Sequence, residues 1–210
     1  MTPSNLEQKY VHNFYATNHT AFSSTRHKPW PSVTEFLNRN KTKLILDAGC
    51  GNGRHLSTTS IGIDYTREFL YECVHAANKR ALALMACDVS CLPFRDESFD
   101  AVLSCAVIHH LENAREGVEQ LYRVLRAGGS CMIVVWAVKA VHPHGSRKQN
   151  GKFVRIRDSE YLVDWQGKGQ MRFYHLYEKD ELVELVRSVG FRVVACREED
   201  ESINLEAVKD

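Results

Sequence analysis

The chain has 210 residues, with 27 basic and 26 acidic side chains and a formal net charge of +1. A chain this long buries roughly 70% of its unfolded surface, enough for one two-sided α/β core. Its near-neutral balance excludes a whole-molecule polyanion binder, so any nucleic-acid contact must come from a local patch.

The seven cysteines are scattered through apolar runs, an odd number with no secretory leader. They speak for reduced thiols and a cytoplasmic location, or a nuclear one. Cys87 and Cys91 have no matching second pair, so no metal site is expected. No apolar run has the length of a membrane span.

In residues 1–31, Tyr10, Val11 and Phe14 recur at near-helical spacing, and a looser segment with Tyr15, Phe22 and Trp30 follows. These aromatics read as a lid on the core. Arg26, His27 and Lys28 stand beside Pro29 and Pro31, which stop any helix. This basic loop is either a solvated surface feature or a holder for an anionic ligand. Ser32 reads as the N-cap of a helix whose face is Val33, Phe36 and Leu37.

Leu44, Ile45 and Leu46 suit a strand buried on both faces, ending at Asp47. Gly49, Gly51 and Gly53 then turn the backbone sharply and let a ligand approach without meeting a Cβ. Ile61 to Asp64 is a second strand. Asp64 either accepts bonds from a ribose diol or caps the helix expected over Thr66 to Ala77.

A third strand is expected over Ala81 to Val89, with Asp88 near its end, and a fourth over Ser98 to Val107. His109 and His110 follow the fourth strand and point opposite ways, so at least one faces the cleft. A helix over Arg115 to Arg126, capped by Gly128 and Gly129, leads to a fifth strand, Cys131 to Trp136. Strand–helix alternation of this kind is the mark of a parallel sheet.

Residues 137–172 break the pattern. Eight basic residues, among them Arg147, Lys148, Lys152 and Arg172, stand against Asp158, Glu160 and Asp164. The stretch reads as a mobile basic lid or a solvated linker. A helix over Lys179 to Val189, stopped by Gly190, precedes an antiparallel pair, Phe191 to Ala195 and Ile203 to Val208. The expected fold is therefore α/β, a seven-stranded, mostly parallel sheet in a single domain over 1–210. Its parts are 1–43, 44–136, 137–172 and 173–210.

Dinucleotides call for GxGxxG, with a pyrophosphate seated on the helix N-terminus. Here the second interval is one residue short, and three aspartates at strand ends disfavour a pyrophosphate. A ligand with a ribose, an adenine, a positive centre and no phosphate fits better, and S-adenosylmethionine is such a molecule.

Residues 44–136 resemble the class I S-adenosylmethionine-dependent methyltransferases. The resemblance implies Asp47 and the three glycines at the methionine end, Asp64 on the ribose, Asp88 and Val89 at the adenine, and Ala106 beside the methionyl part. A narrower resemblance rests on Tyr10–Tyr15, Phe22–Pro31, Ala106–Leu111, Val135–Ala137 and Arg172–Tyr177. These segments are similar to the eukaryotic tRNA wobble-uridine carboxymethyl methyltransferases, in the stand-alone fungal form. That family esterifies 5-carboxymethyluridine in the anticodon loop. It also implies a small zinc-binding activator subunit on the edge strand 81–89, with Leu82, Leu84 and Met85 as the covered face.

The chemistry agrees with the resemblance. A carboxylate is ionised at neutral pH and needs no general base to attack a sulfonium methyl, so alignment carries most of the rate. Cationic holders for the substrate are expected from Arg26, Lys28, Arg172, and His109 or His110, with Arg26 and one histidine catalytic. Trp30, Trp136 or Trp165 is expected to stack on the splayed base. Arg147, Lys148, Lys152 and His175 complete the substrate side. Two other readings stay open, a small-molecule carboxylate methyltransferase and a non-catalytic cofactor-binding regulatory subunit.

Overall fold

The computed structural model describes residues 4–25, 30–75, 81–140 and 152–210. An N-terminal helical arm runs through α1 (Asn5–Glu7), a π-helical turn (Gln8–His12) and α2 (Asn13–Ser23). The helix thus continues through the segment expected to be loose. Val11, Tyr15 and Phe22 fall near one face of it, and burial of that face outweighs the weak local signal.

Helix α3 (Pro31–Arg39) begins one residue before the expected cap. Trp30 is its N-cap, without a side-chain bond, and Pro31 opens the first turn. Proline suits that position because its missing N–H has no intrahelical partner to lose.

The main sheet has β1 (Ile45–Ala48), β2 (Ser60–Asp64), β3 (Ala83–Ala86), β4 (Phe99–Cys105), β5 (Leu125–Trp136), β9 (Arg192–Glu199) and β10 (Ser202–Val208), in the order β3-β2-β1-β4-β5-β10-β9. The first five strands are parallel, and β10 runs antiparallel to both β5 and β9. The seven-stranded α/β sheet with its antiparallel terminal pair is as the sequence led us to expect.

In register, Leu46 and Val102 face one side while Ile45 and Ala101 face the other. The first side buries Leu121 of α5 (Ala114–Val124) and Leu182 and Val186 of α6 (Lys179–Val189). The second buries Val33 and Phe36 of α3 against Ile45, Leu103, Met132 and Val134. Helix α4 (Arg67–His75) follows β2; the expected end at Ala77 lies outside the described residues.

The glycine pair after α5 does not cap that helix. The helix stops at Val124, and Gly128 lies within β5 at φ +72°. The Gly128 N–H donates to the Lys209 carbonyl at 2.7 Å, so the turn is pinned by the chain's last residues.

The expected basic lid is also corrected. From Phe153 onward the segment forms a second antiparallel sheet, β6 (Phe153–Arg157), β7 (Glu160–Asp164) and β8 (Met171–His175), in that order. Val163, Tyr174 and Leu176 form its core, against Trp136 and Phe153. Arg155, Arg157 and Lys168 are exposed on it, whereas Arg172 is buried. Among the described residues, no helix is long and apolar enough to cross a membrane.

Candidate active site

The order of strands reverses beside β1, with β2 on one side and β4 on the other, and the crevice at their carboxyl ends is where an open α/β sheet takes its ligand. Gly49, at φ +85°, starts the turn after β1, and its N–H donates to the Ile63 carbonyl at 2.8 Å. A Cβ on Gly49 would lie 2.2 Å from Val107 Cγ2, so only glycine fits.

Asp64, at the end of β2, accepts from the Gly51 N–H through Oδ2 and from the Thr66 N–H through Oδ1, both at 2.8 Å. The carboxylate therefore clamps the glycine turn and opens α4 at once. Asp88 lies two residues past β3 and accepts from the Ser90 N–H at 2.8 Å. Ala106 holds φ +63°, and its N–H donates to the Val134 carbonyl.

These groups enclose a cavity of about 140 Å³. Gly49, Gly51, Asp64, Asp88, Val89, Ala106 and His110 line it, whereas Asp47 and Gly53 are not among its lining residues. Other wall residues are absent from the sequence-based set: His12, Tyr15, Asn52, Arg54, His55 and Tyr65. The His12 and Tyr65 rings stack at 3.6 Å with 23° between planes, which closes one side of the cavity with the N-terminal arm. Extending that helix to Ser23 in the sequence would have put Val11 and Tyr15 on the pocket face.

The two histidines are not cations. His110 Nδ1 lies 2.7 Å from the Phe173 carbonyl, which can only accept, so Nδ1 carries the proton. Its Nε2 then accepts from the Tyr15 hydroxyl at 2.9 Å. His109 Nδ1 accepts the Trp136 N–H at 3.2 Å, and its ring stacks on Tyr174 at 4.9 Å. Burial is the main cause that drives the His110 pKa down to about 3 and the His109 pKa well below the ordinary value. His110 faces the cavity; His109 is turned into the wall between the two sheets.

Arg172 is the cation this region does bury. It is 1% exposed, hydrogen-bonds the Tyr15 side chain, and stacks its guanidinium over Phe14 and Tyr174 at 5.3 and 5.1 Å. It stands behind Tyr15 and does not line the cavity.

His175 is bound to Glu181 of α6 at 2.6 Å, away from the cavity. Trp30 packs on the α3 core, Trp136 packs between the sheets against Tyr174, and Trp165 is buried edge-on to Phe14 at 5.5 Å, so none presents a free ring to the cavity. Lys152 is exposed. Arg26, His27, Lys28, Arg147 and Lys148 lie outside the described residues.

A family model described as a methyltransferase domain matches residues 46–133. An Encephalitozoon cuniculi protein whose name assigns it to the methyltransferases is 37% identical over 211 residues, 96% of either chain.

The chain belongs to the class I methyltransferases.

The mouse tRNA (carboxymethyluridine(34)-5-O)-methyltransferase is 37% identical to this methyltransferase over 71% of the chain. The match spans only 23% of that longer relative. Among solved structures, a chain of the complex between the Haloferax volcanii Trm112 methyltransferase activator and a methyltransferase superposes with a TM-score of 0.67. It is 16% identical, with 97% of both chains covered, and shares the fold.

S-adenosylmethionine is the methyl donor of this family, and the residues present suit it. Asp47 is 2% exposed and its Oδ2 has no hydrogen-bond partner among the described residues. Burial raises its pKa to about 7; the Arg54 charge opposes this and the Asp64 charge adds to it. Burial likewise lifts Asp64 to about 6, against the Thr66 and Gly51 N–H bonds. Two carboxyls desolvated at the glycine turn favour a ligand with ammonium, sulfonium and hydroxyl groups over one with phosphates.

Proposed function

We propose that this methyltransferase esterifies the carboxylate of 5-carboxymethyluridine at the tRNA wobble position. The observation that carries this reading is the likeness to the mouse enzyme named for that reaction, over 71% of the chain. The geometry supports it in two ways.

First, the attacking group is an anion at neutral pH, so the reaction needs alignment and no general base. His110 on the cavity wall is not placed to act as one: it donates its only proton to Phe173 and receives another from Tyr15, which leaves no free lone pair on the ring. S-adenosylmethionine supplies an activated methyl on a sulfonium, held by the Gly49–Gly53 turn with Asp47, Asp64, Asp88, Val89 and Ala106. Tyr15 and His110 line the same cavity as Ala106. Arg172 behind Tyr15 sets a positive potential there, which holds a carboxylate without contacting it. Its distance limits over-stabilisation of an anion whose charge falls in the transition state. Arg26, Lys28, Arg147, Lys148 and Lys152 are the groups offered to the RNA backbone.

Second, β3 is an outer strand of the main sheet, and Leu82 just before it and Met85 on it are 62% and 40% exposed. Tyr71 and Val74 of α4 extend the apolar surface. Leu84 differs from expectation, because it turns inward against Gly62 of β2. An exposed edge with apolar neighbours suits strand addition by a partner. We assign it to the small zinc-binding activator, in line with the Haloferax volcanii complex.

The test is methyl transfer in the reconstituted pair, with labelled cofactor and tRNA that carries carboxymethyluridine. The expected product is a base-labile methyl ester on the modified tRNA alone. Transfer to tRNA without the carboxymethyl group, or to free carboxylic acids in the absence of RNA, overturns the substrate assignment.

A further inference from the structure

A second cavity lies on the opposite side of the molecule's core from α5 and α6. Strand β10 presents Ile203, Leu205 and Ala207 to that core, so Ser202, Asn204 and Glu206 face the α3 side. Helix α3 covers β1, β4 and β5 there but leaves the C-terminal hairpin open. Between its first turns and the hairpin is a space of about 150 Å³, lined by Pro31, Ser32, Glu35, Met132, Arg197 and Asn204, with Glu199 and Glu206 on its walls.

Asn204 is 5% exposed, and among the described residues neither its Oδ1 nor its Nδ2 has a hydrogen-bond partner. The Ser32 hydroxyl beside it is likewise buried and unpaired. Buried polar groups are almost always satisfied, and leaving them unsatisfied costs stability. One bridging water occupies only about 10–15 Å³ by the same measure, so the space holds far more than one.

The chemistry of the walls narrows the occupant. A carboxamide offers an acceptor and a donor side by side, the pattern with which asparagine reads the edge of a base. Arg39 is held by Glu35 at 2.7 Å and by Glu206 at 2.5 Å, which leaves Glu199 with no described cation. Surplus carboxylate favours a ligand rich in N–H groups and repels phosphate. Pro31, Met132 and Ala195 supply apolar surface for ring faces.

We propose that this cavity binds a nucleobase through an edge bearing an exocyclic amino group. One amino hydrogen goes to Asn204 Oδ1, the second to a wall carboxylate, and Asn204 Nδ2 donates to the adjacent ring nitrogen. Uracil presents a carbonyl where the amino group belongs and is disfavoured. Exposed Arg197 at the rim is placed to meet the phosphate of an attached nucleotide. Whether the base belongs to a free nucleoside or to the RNA substrate is separable, and only the second source rests on the function proposed above.

The experiment uses the full chain, 15N-labelled and saturated with S-adenosylhomocysteine so that the cofactor cavity is filled. Cytidine, uridine and a short cytosine-containing single-stranded oligonucleotide are titrated while the Asn204 side-chain amide and the backbone amide resonances of Ile203, Leu205 and Arg197 are followed, the backbone set being the readout in the variants. Saturable shifts with cytidine, at least roughly tenfold weaker with uridine, and their loss in Asn204→Leu are expected. Glu199→Gln, a change at a half-buried wall residue that keeps the side chain's shape, weakens cytidine binding if Asn204→Leu fails to fold. Tighter binding of the oligonucleotide, reduced by Arg197→Ala, assigns the site to RNA; cytidine binding without that gain assigns it to a free nucleoside. Asn204 resonances unmoved by cytidine and oligonucleotide at millimolar concentration, with ordered water alone in the cavity, overturn the proposal. Nucleoside binding is read directly, so it stands or falls independently of tRNA methylation.

Discussion

Tyr15 and His110, 95 positions apart in sequence, share a 2.9 Å hydrogen bond whose direction is fixed by a third group. The Phe173 carbonyl takes the proton on His110 Nδ1, so Nε2 accepts and the Tyr15 hydroxyl donates. The bond ties the N-terminal arm to the turn after β4, and Arg172 ties the same hydroxyl to β8. Three segments distant in sequence therefore meet at one oxygen.

Tyr15→Phe removes that oxygen and leaves a buried imidazole nitrogen unpaired. The expected loss is about 1–3 kcal/mol of unfolding free energy, the cost of an orphaned buried acceptor. Urea denaturation at neutral pH measures it. An unchanged midpoint would mean that water replaces the hydroxyl and that the arm is not anchored there.

Asp47 sets a pH dependence of the ligand-free protein. Its folded pKa of about 7 lies above the ordinary 3.8, so the folded state holds the proton more tightly than the unfolded state. Stability from this group is complete below pH 4 and is lost as pH rises through the interval up to 7. Asp47→Asn removes the loss. At pH 8 it is expected to be more stable than the parent by up to about 4 kcal/mol, while the two converge below pH 4. The same change weakens cofactor binding, because the unpaired acceptor is gone. Denaturation at pH 4 and pH 8, with calorimetric titration of S-adenosylhomocysteine, checks both parts; equal stabilities at pH 8 would refute the first.

Gly49→Ala combines a left-handed backbone, φ +85°, with a Cβ placed 2.2 Å from Val107 Cγ2. The strained backbone costs about 1–3 kcal/mol, and the overlap with Val107 a similar amount. Adding Val107→Ala relieves the overlap but not the strain, so the double variant is expected to regain about half the loss. Thermal melts of the four proteins in the cycle separate the two costs.

The strands and glycine turn beside the cavity were legible in the sequence because they are local. Leu44–Gly53 and Ile61–Asp64 carry their own strand, turn and carboxylate signals. The surroundings of His109 and His110 were not, for physical reasons. The charge on His109 and His110 is decided by Trp136, Phe173 and Tyr15, which no spacing rule brings near them. The sheet over 153–175 was hidden because β6 shows mostly exposed residues, with Val154 and Ile156 47% and 44% exposed, so its pairing with β7 leaves little hydrophobic alternation. Ser32 looked like a cap until Pro31 claimed the first turn.

The β3 edge gives a prediction that separates folding from assembly. Leu82 and Met85 expose most or much of their side chains, and β3 is hydrogen-bonded only to β2 among the described strands. Lysine at both positions places charge on surface that already faces water, so the isolated chain is expected to change by no more than about 0.5 kcal/mol. The same charges would be desolvated against an apolar partner, which costs far more. Co-expression of Leu82→Lys/Met85→Lys with the activator is therefore expected to abolish co-purification. Cofactor affinity of whatever free chain remains soluble should be unchanged, since Asp64 and Asp88 are untouched. Tyr71→Lys on α4 extends the test to the neighbouring helix, where an intermediate loss is expected if the covered surface reaches that far. Retention of a stoichiometric complex by the double variant would show that the activator docks elsewhere and that the apolar edge has another use.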